Sequence, residues 1–531
     1  MLPADFFDDP PSSILKVGGQ MIKDSRLRWA ALFTLPEGKG VFIKRDKTKN
    51  WMDALKLLFL PSKGRKEWLM ASRLEKSFLP VPKPLGWMER RGRGLVRESY
   101  YFAEAIGSGL SLLDFLEAHA GETVRLADQG EGRWMESLAH TIKGFHDLGL
   151  FHRDLHAGNF LSNGDSFFLT DLHRARIVRY LSLNQRLWSL SHFFHSLGET
   201  GRSEEGKAGF LRFMAAYFAG DPSYIENREK YTRKVLSSME RLRKRWWRSR
   251  TKRCMKESTE FSVWREKGIK IYHRKDFGVD HIEKIIKGHE DLLKERPPEL
   301  LKHAPESTVS IVDAGEGKIC VKQFYCLRLT DRLKETFRIS KGRKAWVSGN
   351  GLTVRGIPSL RMMACVERRK GFLKRDSFLL MEAAPKGAEM DRYLIKGFQD
   401  FQERRLFIKS FAEWLGSLHR KNLYHKDMKT CNIIVAKKPG PMWQFRLLDL
   451  EDVCLDRQVC EKDLFYNFLQ LNTSIPKAIS STDRLRLYRT YKRMRPIFRE
   501  EKRFFLRLLE KSRGREIVYV SPGGVVEDKW N

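Results

Sequence analysis

The sequence of 531 residues lacks the features that mark several large classes of protein. Its seven cysteines all lie at or beyond Cys254 and form no CxxC pair, which argues against a disulfide framework or a structural zinc site. No run of about 18 apolar residues occurs, so a membrane-spanning helix is not expected. The first residues, MLPADFFDDPPSS, are acidic and contain proline, unlike a signal peptide. We therefore expect a globular protein of the cytoplasm.

Acidic residues are also few in comparison with basic ones. The 100 Lys and Arg residues outnumber the 66 Asp and Glu residues, which leaves a formal net charge of +34. Such a charge attracts anions, whether nucleic acid, anionic lipid or a phosphorylated and carboxylated substrate. Composition does not choose among these partners and leaves the oligomeric state open.

The chain contains an internal repeat. Three landmarks return in the same order after 273 to 278 residues: SKGRKEW at 62–68 and SKGRKAW at 340–346, FHRDLHAGNFL at 151–161 and YHKDMKTCNII at 424–434, and FLTDLHRAR at 168–176 and RLLDLEDVC at 446–454. Landmarks in a fixed order at nearly constant spacing indicate two copies of one domain. We predict domains at 1–225 and 297–531, joined by a basic helical linker at 226–296.

The linker contains RLRKRWWRSRTKR at 241–253, with eight basic residues in thirteen. One interpretation is a solvated helix face or a tether between the domains. The other is a surface for anionic lipid or nucleic acid, with Trp246 and Trp247 at the interface.

Each copy has the same coarse pattern of secondary structure. Short β-type runs such as WAALFTL and GVFIKR, or TVSIVDA and KICVKQF, come first, and a helix follows around the SKGRK motif. An amphipathic helix then leads into the Asp-containing loop, which a β-hairpin and further helices follow. The pattern predicts an α+β fold with a strand-rich first lobe and a helical second lobe in each copy.

The repeated loop carries residues with the spacing that phosphoryl transfer needs. An Asp and an Asn five residues apart can accept a hydroxyl proton and bind Mg²⁺, and a second Asp on the following hairpin can hold the metal. An upstream Lys can pair with the nucleotide phosphates. The candidate residues are Lys44, Asp154, Asn159 and Asp171 in the first copy, and Lys322, Asp427, Asn432 and Asp449 in the second.

The order HRDxxxxN, a strand-borne Asp and an upstream Lys resembles the protein-kinase-like superfamily. The DFG sequence is replaced by Asp-Leu-His and Asp-Leu-Glu, and neither a GxGxxG loop nor an APE segment is present. HRDLHAGN followed by TDLHRAR, with the GRKEW helix and a VPKP turn, is similar to the lipopolysaccharide kinase (Kdo/WaaP) family. Those enzymes phosphorylate Kdo or heptose sugars of the bacterial lipopolysaccharide inner core with ATP and Mg²⁺.

The resemblance implies a role for each matching residue. Asp154 and Asp427 would be catalytic bases, with Asn159, Asp171, Asn432 and Asp449 as Mg²⁺ ligands. The nucleotide-binding residues would be Lys44 and Lys322, Glu67 as the ion-pair partner of Lys44, and Glu104 and Glu382 at the nucleotide hinge. His152 and His425 are expected to orient the loop backbone.

The second copy departs from the pattern at one position. Ala345 stands where the first copy has Glu67, so Lys322 lacks its obvious partner, for which Glu335 could substitute. The sequence therefore leaves open whether the second copy is catalytic.

Three functions compete at this point. The favoured one is an ATP-dependent kinase that phosphorylates a sugar of lipopolysaccharide or of a lipid A-core acceptor, peripheral on the inner face of the inner membrane. The second is a protein kinase, which Lys429 favours because protein kinases often place a lysine two residues after the catalytic Asp. The third is a non-catalytic basic scaffold with a pseudokinase domain, and net charge alone keeps nucleic acid among its partners.

Overall fold

The computed structural model describes residues 18–531 except for 26, 36, 108, 119–132, 165, 199–203, 296–298, 316, 327–335, 385–386, 441, 477–478, 496–499, 522–523 and 530–531. It divides into two compact units, Met1–Arg243 (unit 1) and Lys244–Asn531 (unit 2). Each unit contains an antiparallel sheet followed mainly by helices, so the α+β prediction is confirmed.

The described residues of unit 1 include nine strands and seven α-helices. The strands are β1 Gln20–Ser25, β2 Arg28–Thr34, β3 Gly40–Lys47, β4 Pro84–Gly92, β5 Leu95–Glu104, β6 Leu150–His152, β7 Phe160–Asn163, β8 Ser166–Leu169 and β9 Ala175–Ile177. The helices are α1 Trp51–Phe59, α2 Lys63–Glu75, α3 Leu112–Ala118, α4 Arg133–Asp147, α5 Leu183–Ser196, α6 Glu204–Tyr217 and α7 Pro222–Thr251, which extends into unit 2.

Unit 2 continues the numbering. Its strands are β10 Phe261–Glu266, β11 Ile269–Arg274, β12 Leu300–Ala304, β13 Ser307–Asp313, β14 Lys318–Tyr325, β15 Met362–Lys370, β16 Leu373–Glu382, β17 Ala388–Glu389, β18 Tyr424–His425, β19 Ile433–Lys438, β20 Met442–Leu447, β21 Val453–Cys454, β22 Glu516–Ser521 and β23 Gly524–Lys529. Its helices are α8 Val279–Glu295, α9 Lys341–Val354, α10 Met390–Lys396, α11 Phe401–Arg420, α12 Glu461–Ser474, α13 Ser481–Met494 and α14 Glu501–Arg513.

The main sheets of the two units share one strand order. Unit 1 has the order β1-β2-β3-β5-β4, and unit 2 repeats it as β12-β13-β14-β16-β15. In both sheets the central strand is the one that carries the predicted lysine, Lys44 on β3 or Lys322 on β14. The internal repeat of the sequence is thus a repeat of the fold.

Unit 2 extends its sheet with residues from the predicted linker. β10 and β11 form an antiparallel hairpin, and β11 pairs with β15, where Ile271 lies opposite Val366. This hairpin was not predicted, although α7 and α8 agree with the helices expected in that segment. The predicted limits at 225 and 296 stay a prediction, and residues 244–296 lie within unit 2.

The tryptophan pair of the linker is divided between surface and core. Trp246 is exposed, but Trp247 is buried and its ring lies 5.1 Å from the guanidinium carbon of Arg355. The prediction that both tryptophans lie at a lipid or nucleic-acid interface is therefore wrong for Trp247, because its indole is buried.

The SKGRK motif fixes the helix that follows it in each unit. Ser62 caps α2 by accepting a hydrogen bond from the backbone N of Arg65, and the backbone N of Gly64 donates to Ser99 Oγ at 3.3 Å. A Cβ on Gly64 would lie 2.4 Å from the carbonyl oxygen of Tyr100, so glycine permits this close approach of helix and sheet. Gly342 makes the matching contact with Ser377 in unit 2, where its backbone N donates to Oγ at 3.2 Å.

Each helical lobe packs around a buried histidine in an apolar core. His146 of α4 bonds to Tyr217 at 2.6 Å, and His419 of α11 bonds to Tyr491 at 2.8 Å. Both histidines lie in the helix that leads into the Asp-containing loop, so they anchor that helix against the lobe. Among the described residues, no helix combines the length and the apolar character needed to cross a membrane.

Candidate active site

Lys44 lies on β3, and two carboxylates hold its ammonium group. Its Nζ lies 2.9 Å from Glu67 Oε2 on α2 and also bonds to Asp171, which follows β8. The side chains of Lys44 and Glu67 are only 12% and 4% exposed. Burial alone would lower the pKa of Lys44, but the charges of Glu67 and Asp171 outweigh it and raise that pKa. The lysine is therefore charged, and its ammonium group is held in place by both carboxylates.

Asp171 reaches the lysine through an unusual turn. Its backbone is left-handed, with φ 58°, a conformation that short polar residues tolerate better than most. His173 Nδ1 lies 2.8 Å from Asp171 Oδ1. Burial opposes the ionisation of Asp171, yet His173 and Lys44 hold the pKa of this carboxyl well below its usual range. Glu67, Asp171 and His173 together offer three metal-ligand atoms within 4.8 Å of one another.

His152 organises the Asp-containing loop of unit 1. Its Nδ1 accepts a hydrogen bond from the backbone N of Asp154 at 3.1 Å, so its Nε2 is the donor to the carbonyl oxygen of Asp171 at 3.2 Å. Asn159 Nδ2 donates to the carbonyl oxygen of Asp154 at 3.0 Å. The predicted backbone role of His152 is confirmed, and the loop is tied to the turn that presents Asp171.

The Asp154 carboxylate lies near the surface of this loop. Its Oδ2 is 2.7 Å from Arg174 Nη1, and the two side chains are 40% and 53% exposed. Arg174 immediately follows His173 in the chain and was not among the predicted site residues. The arrangement leaves the carboxylate accessible while a cation orients it.

Unit 2 holds its lysine with a different acid. Lys322 Nζ lies 2.6 Å from Asp449 Oδ1 and 2.8 Å from Glu451 Oε1, whereas Ala345 is fully buried where unit 1 has Glu67. Burial would lower the pKa of Lys322, but Glu451 and Asp449 raise it. The same lysine lowers the pKa of Asp449 against the opposing effect of burial. Glu451 thus supplies the second carboxylate; Glu335 lies outside the described residues.

The loop of unit 2 makes backbone contacts like those of unit 1, except that its histidine bonds to the residue before the aspartate of the turn. The backbone N of Asp427 donates to His425 Nδ1 at 3.1 Å, and His425 Nε2 lies 3.0 Å from the carbonyl oxygen of Leu448. Asn432 Nδ2 donates to the carbonyl oxygen of Asp427 at 2.8 Å. The predicted role of His425 is confirmed as well.

The cation beside Asp427 comes from the loop itself. Lys429 Nζ lies 3.1 Å from Asp427 Oδ1, with both side chains partly exposed. At the position of Arg174, unit 2 has Asp452, so the cation of unit 1 has no counterpart there. Both units therefore pair the loop carboxylate with a cation, but from different positions.

A cavity of about 250 Å³ opens beside Lys322. Its walls come from the β12–β13 hairpin, β14, the start of α9, the loop after β18 and the turn after β20, and they include Lys302, Lys341, Lys426 and Asp449. Lysines beside carboxylates suit phosphate groups that are accompanied by a divalent cation.

Glu104 and Glu382 occupy matching ends of the two sheets. Glu104 ends β5 and lies 3.7 Å from Lys83, and Glu382 ends β16 and lies 3.1 Å from Arg361. Both side chains are thus engaged with neighbouring cations at the rim of the sheet. Their predicted place at a nucleotide hinge stays a prediction, in which backbone atoms would contact adenine.

A comparison with protein-family models finds one family twice in this chain. The model of the lipopolysaccharide kinase (Kdo/WaaP) family matches residues 37–217 and 337–491, more than half of the sequence. The chain belongs to the lipopolysaccharide kinase (Kdo/WaaP) family. The two matches fall in units 1 and 2, so the predicted pair of tandem protein-kinase-like domains, each with a β-rich first lobe and a helical second lobe, is confirmed.

Two solved structures illustrate the similarity that a structural comparison detects. WaaP in complex with acyl carrier protein is 16% identical, with a TM-score of 0.33, and the match covers 42% of this chain and 90% of that one. A Stt7 homolog from Micromonas algae soaked with ATP is 15% identical, with a TM-score of 0.23, and the match covers 29% and 48%. No curated protein matches the chain.

Sequence reasoning placed the lysines and acids of this family site together but missed two supporting residues. The structure brings Lys44 and Glu67 into contact as predicted and places Asp171 against the same lysine, but the catalytic and metal roles stay predictions. Arg174 was missed, and Glu451 was not predicted as a partner of Lys322. The signal for Glu451 was present, because Glu67 is replaced by Ala345 in the same repeat in which His173 is replaced by Glu451.

Proposed function

We propose that unit 1 transfers the γ-phosphoryl group of ATP to a hydroxyl of a Kdo or heptose sugar in the lipopolysaccharide inner core. The observation that carries the proposal is the charged cluster of Lys44, Glu67 and Asp171 beside the loop of Asp154, in a chain of this family. A fixed lysine and accessible carboxylates are what phosphoryl transfer requires, since it depends mostly on positioning and charge neutralisation.

In this proposal Asp154 is the general base. The sugar hydroxyl oxygen forms the new bond to the γ-phosphorus, the bond to the bridging oxygen breaks, and ADP leaves with the electron pair. The hydroxyl proton passes to the Asp154 carboxylate, which Arg174 orients at 2.7 Å. Lys44 would bind phosphate oxygens of the nucleotide, with Glu67 holding its ammonium group in place.

The residues present suit Mg²⁺, which would neutralise phosphate charge when bound. Asn159 turns its amide nitrogen towards the carbonyl oxygen of Asp154, so its amide oxygen remains as a ligand. Asp171 would supply a carboxylate from the facing turn. The donor set of one amide and one carboxylate oxygen is of the kind that Mg²⁺ prefers.

We propose further that unit 2 retains a nucleotide site in which Glu451 replaces Glu67. The ion pairs of Lys322 with Asp449 and Glu451, and the adjacent cavity, support this proposal. Asp427 and Asn432 keep the loop contacts of their counterparts in unit 1. The absence of a glutamate at 345 is therefore not sufficient to make unit 2 a pseudokinase.

A protein kinase is the second candidate function, and Lys429 is the observation that favours it. Its ammonium group lies 3.1 Å from Asp427 Oδ1, where it could neutralise a transferred phosphate. Unit 1 has His156 at this position, so the argument applies to unit 2 alone.

The test follows labelled phosphate from ATP into deep-core lipopolysaccharide and into a generic protein substrate. The wild type is compared with Asp154→Ala, Asp427→Ala and the double variant. Labelled lipopolysaccharide that disappears with Asp154→Ala is the expected result. Labelled protein without labelled lipopolysaccharide would establish the protein kinase instead, and label that survives in the double variant would contradict both carboxylates as bases.

A further inference from the structure

The helix α1 presents its apolar side chains to solvent. Trp51, Met52, Leu55, Leu58 and Phe59 are all exposed, with Trp51 at 67% and Phe59 at 89% of full accessibility. These positions follow the spacing i, i+1, i+4, i+7 and i+8, so they form one continuous stripe along the helix. A stripe of this kind ordinarily faces a core, and here it faces outward.

The fold holds this stripe in its outward orientation. Ala54, the buried residue of α1, lies outside the stripe, and the helix lies against β5. Asn50 caps the first turn by accepting a hydrogen bond from the backbone N of Asp53 at 2.9 Å. A capped helix that is seated on a sheet by its opposite face is a preformed surface, and contiguous exposed apolar patches mark interaction sites.

The segment of the chain that contains the stripe is basic. Residues 45–66 include seven basic residues and two acidic ones. One of the acids, Asp46, is buried and bonds to Lys63 at 2.9 Å, so it offers little negative charge to a partner. Lys49, Lys56 and Lys66 are exposed.

We propose that α1 docks the protein on an anionic lipid bilayer. The stripe would enter the boundary between headgroups and acyl chains, and the exposed lysines would contact lipid phosphates. A tryptophan at one end, a phenylalanine at the other and flanking lysines form the pattern of an interfacial helix, and the charge complementarity favours an anionic bilayer over a neutral surface. This inference does not depend on the identity of the sugar acceptor.

Unit 2 has an exposed phenylalanine at the equivalent place. Phe337 lies 278 residues after Phe59 and is also 89% exposed. Residues 329–335, which correspond to most of α1, lie outside the described residues.

The experiment measures binding of the full chain to vesicles. One set contains seven parts phosphatidylcholine and three parts phosphatidylglycerol, and the other contains phosphatidylcholine alone. The double variant Trp51→Ser/Phe59→Ser should bind the anionic vesicles at least tenfold more weakly than the wild type. A matched control, Phe372→Ser/Leu506→Ser, removes two exposed apolar side chains from unit 2 and should bind as the wild type does.

Charge supplies the second arm of the test. Lys49→Glu/Lys56→Glu should weaken binding to anionic vesicles, and added salt should weaken binding of the wild type. Unchanged melting temperatures establish that each variant is folded. The proposal is overturned if the wild type shows no preference for anionic vesicles or if Trp51→Ser/Phe59→Ser binds them normally. It is also overturned if ultracentrifugation shows a wild-type dimer that this variant dissociates, since α1 would then bind a second copy.

Discussion

Units 1 and 2 each hold an equivalent lysine, Lys44 or Lys322, between two acids, and one of these acids comes from a different element in each unit. In unit 1 the second carboxylate comes from a helix, as Glu67 on α2. In unit 2 it comes from the turn after β20, as Glu451, and the helix contributes Ala345 instead. What the fold retains is therefore a lysine between two carboxylates, and the position in the chain that supplies one of them is free to change.

The cations beside the loop carboxylates also come from different elements in the two units. Asp154 has its cation from the turn, as Arg174, and Asp427 has its cation from the loop, as Lys429. The turn after the hairpin thus carries a cation in unit 1 and an anion in unit 2. An acid on this turn can pair with the lysine of the sheet, since Glu451 Oε1 lies 2.8 Å from Lys322 Nζ.

The largest effect should come from the loop carboxylates. Asp154→Asn keeps the shape of the side chain but removes the base, so we expect kcat for lipopolysaccharide phosphorylation to fall by about 10²–10⁴-fold. Asp427→Asn is the matched change in unit 2 and should spare this activity if the units act on different acceptors. Steady-state kinetics with both variants decides the point, and a change of less than threefold in Asp154→Asn would contradict the assigned base.

The exchange of acids can be reproduced in unit 1. Glu67→Ala should lower kcat/KM by about 10²-fold, because it leaves a buried lysine with one partner fewer. Adding His173→Glu creates the arrangement of unit 2, because His173 already lies 2.8 Å from Asp171. This second change should raise kcat/KM at least tenfold above that of Glu67→Ala alone. The control is Glu67→Ala/His173→Gln, in which kcat/KM should not recover. Equal activity of the two double variants would refute the idea that an acid at position 173 can replace Glu67.

The buried histidines should give the two units a shared dependence on pH. Burial, the largest cause, lowers the pKa of His146 and of His419 to about 3. In the unfolded chain each histidine binds a proton near pH 6.5, whereas in the folded chain it does so only near pH 3. Each histidine therefore does not affect the free energy of unfolding above pH 6.5, and it lowers that free energy by about 1.4 kcal/mol per pH unit between pH 6.5 and 3.

Urea unfolding at pH 7.5 and pH 5.0 tests this dependence. The free energy of unfolding of either His146→Gln or His419→Gln should fall by about 2 kcal/mol less than that of the wild type between these two pH values. The comparison between variant and wild type removes the contribution of the carboxylates, which both proteins share. If variant and wild type lose the same free energy of unfolding between the two pH values, the histidine is protonated in the folded state at pH 5.0.

The smallest effects should come from the cations beside the loop carboxylates. The pairs of Arg174 with Asp154 and of Lys429 with Asp427 are partly exposed, so Arg174→Ala and Lys429→Ala should each change the free energy of unfolding by less than about 1 kcal/mol. We expect kcat to fall by less than tenfold. A loss of a hundredfold in either variant would show that the cation contacts the substrate, not only the carboxylate.

Much of this architecture was readable from the sequence because repeated motifs carry local chemistry. The SKGRK motif specifies a helix start and a close approach to the sheet, and Gly64 and Gly342 make the same contact in both units. The loops around Asp154 and Asp427 keep a histidine and an asparagine at fixed spacing, and in both units the asparagine donates to the carbonyl oxygen of the loop aspartate.

The remainder depends on tertiary contacts that spacing does not encode. Glu451 follows Asp449 by two residues, and only the turn geometry shows that both reach Lys322. The β10–β11 hairpin lies in a segment without a counterpart in the repeat, so no comparison between copies could reveal it. Periodicity also does not show whether the apolar stripe of α1 faces the core or the solvent.

The central claim is that both units have a competent nucleotide site despite the exchange of acids. Its most direct test is the equilibrium binding of a non-hydrolysable ATP analogue with Mg²⁺ to the full chain. The account predicts two sites in the wild type, with Glu67→Ala weakening one at least tenfold and Glu451→Ala weakening the other. A wild type with a single site that Glu451→Ala leaves unchanged would contradict it.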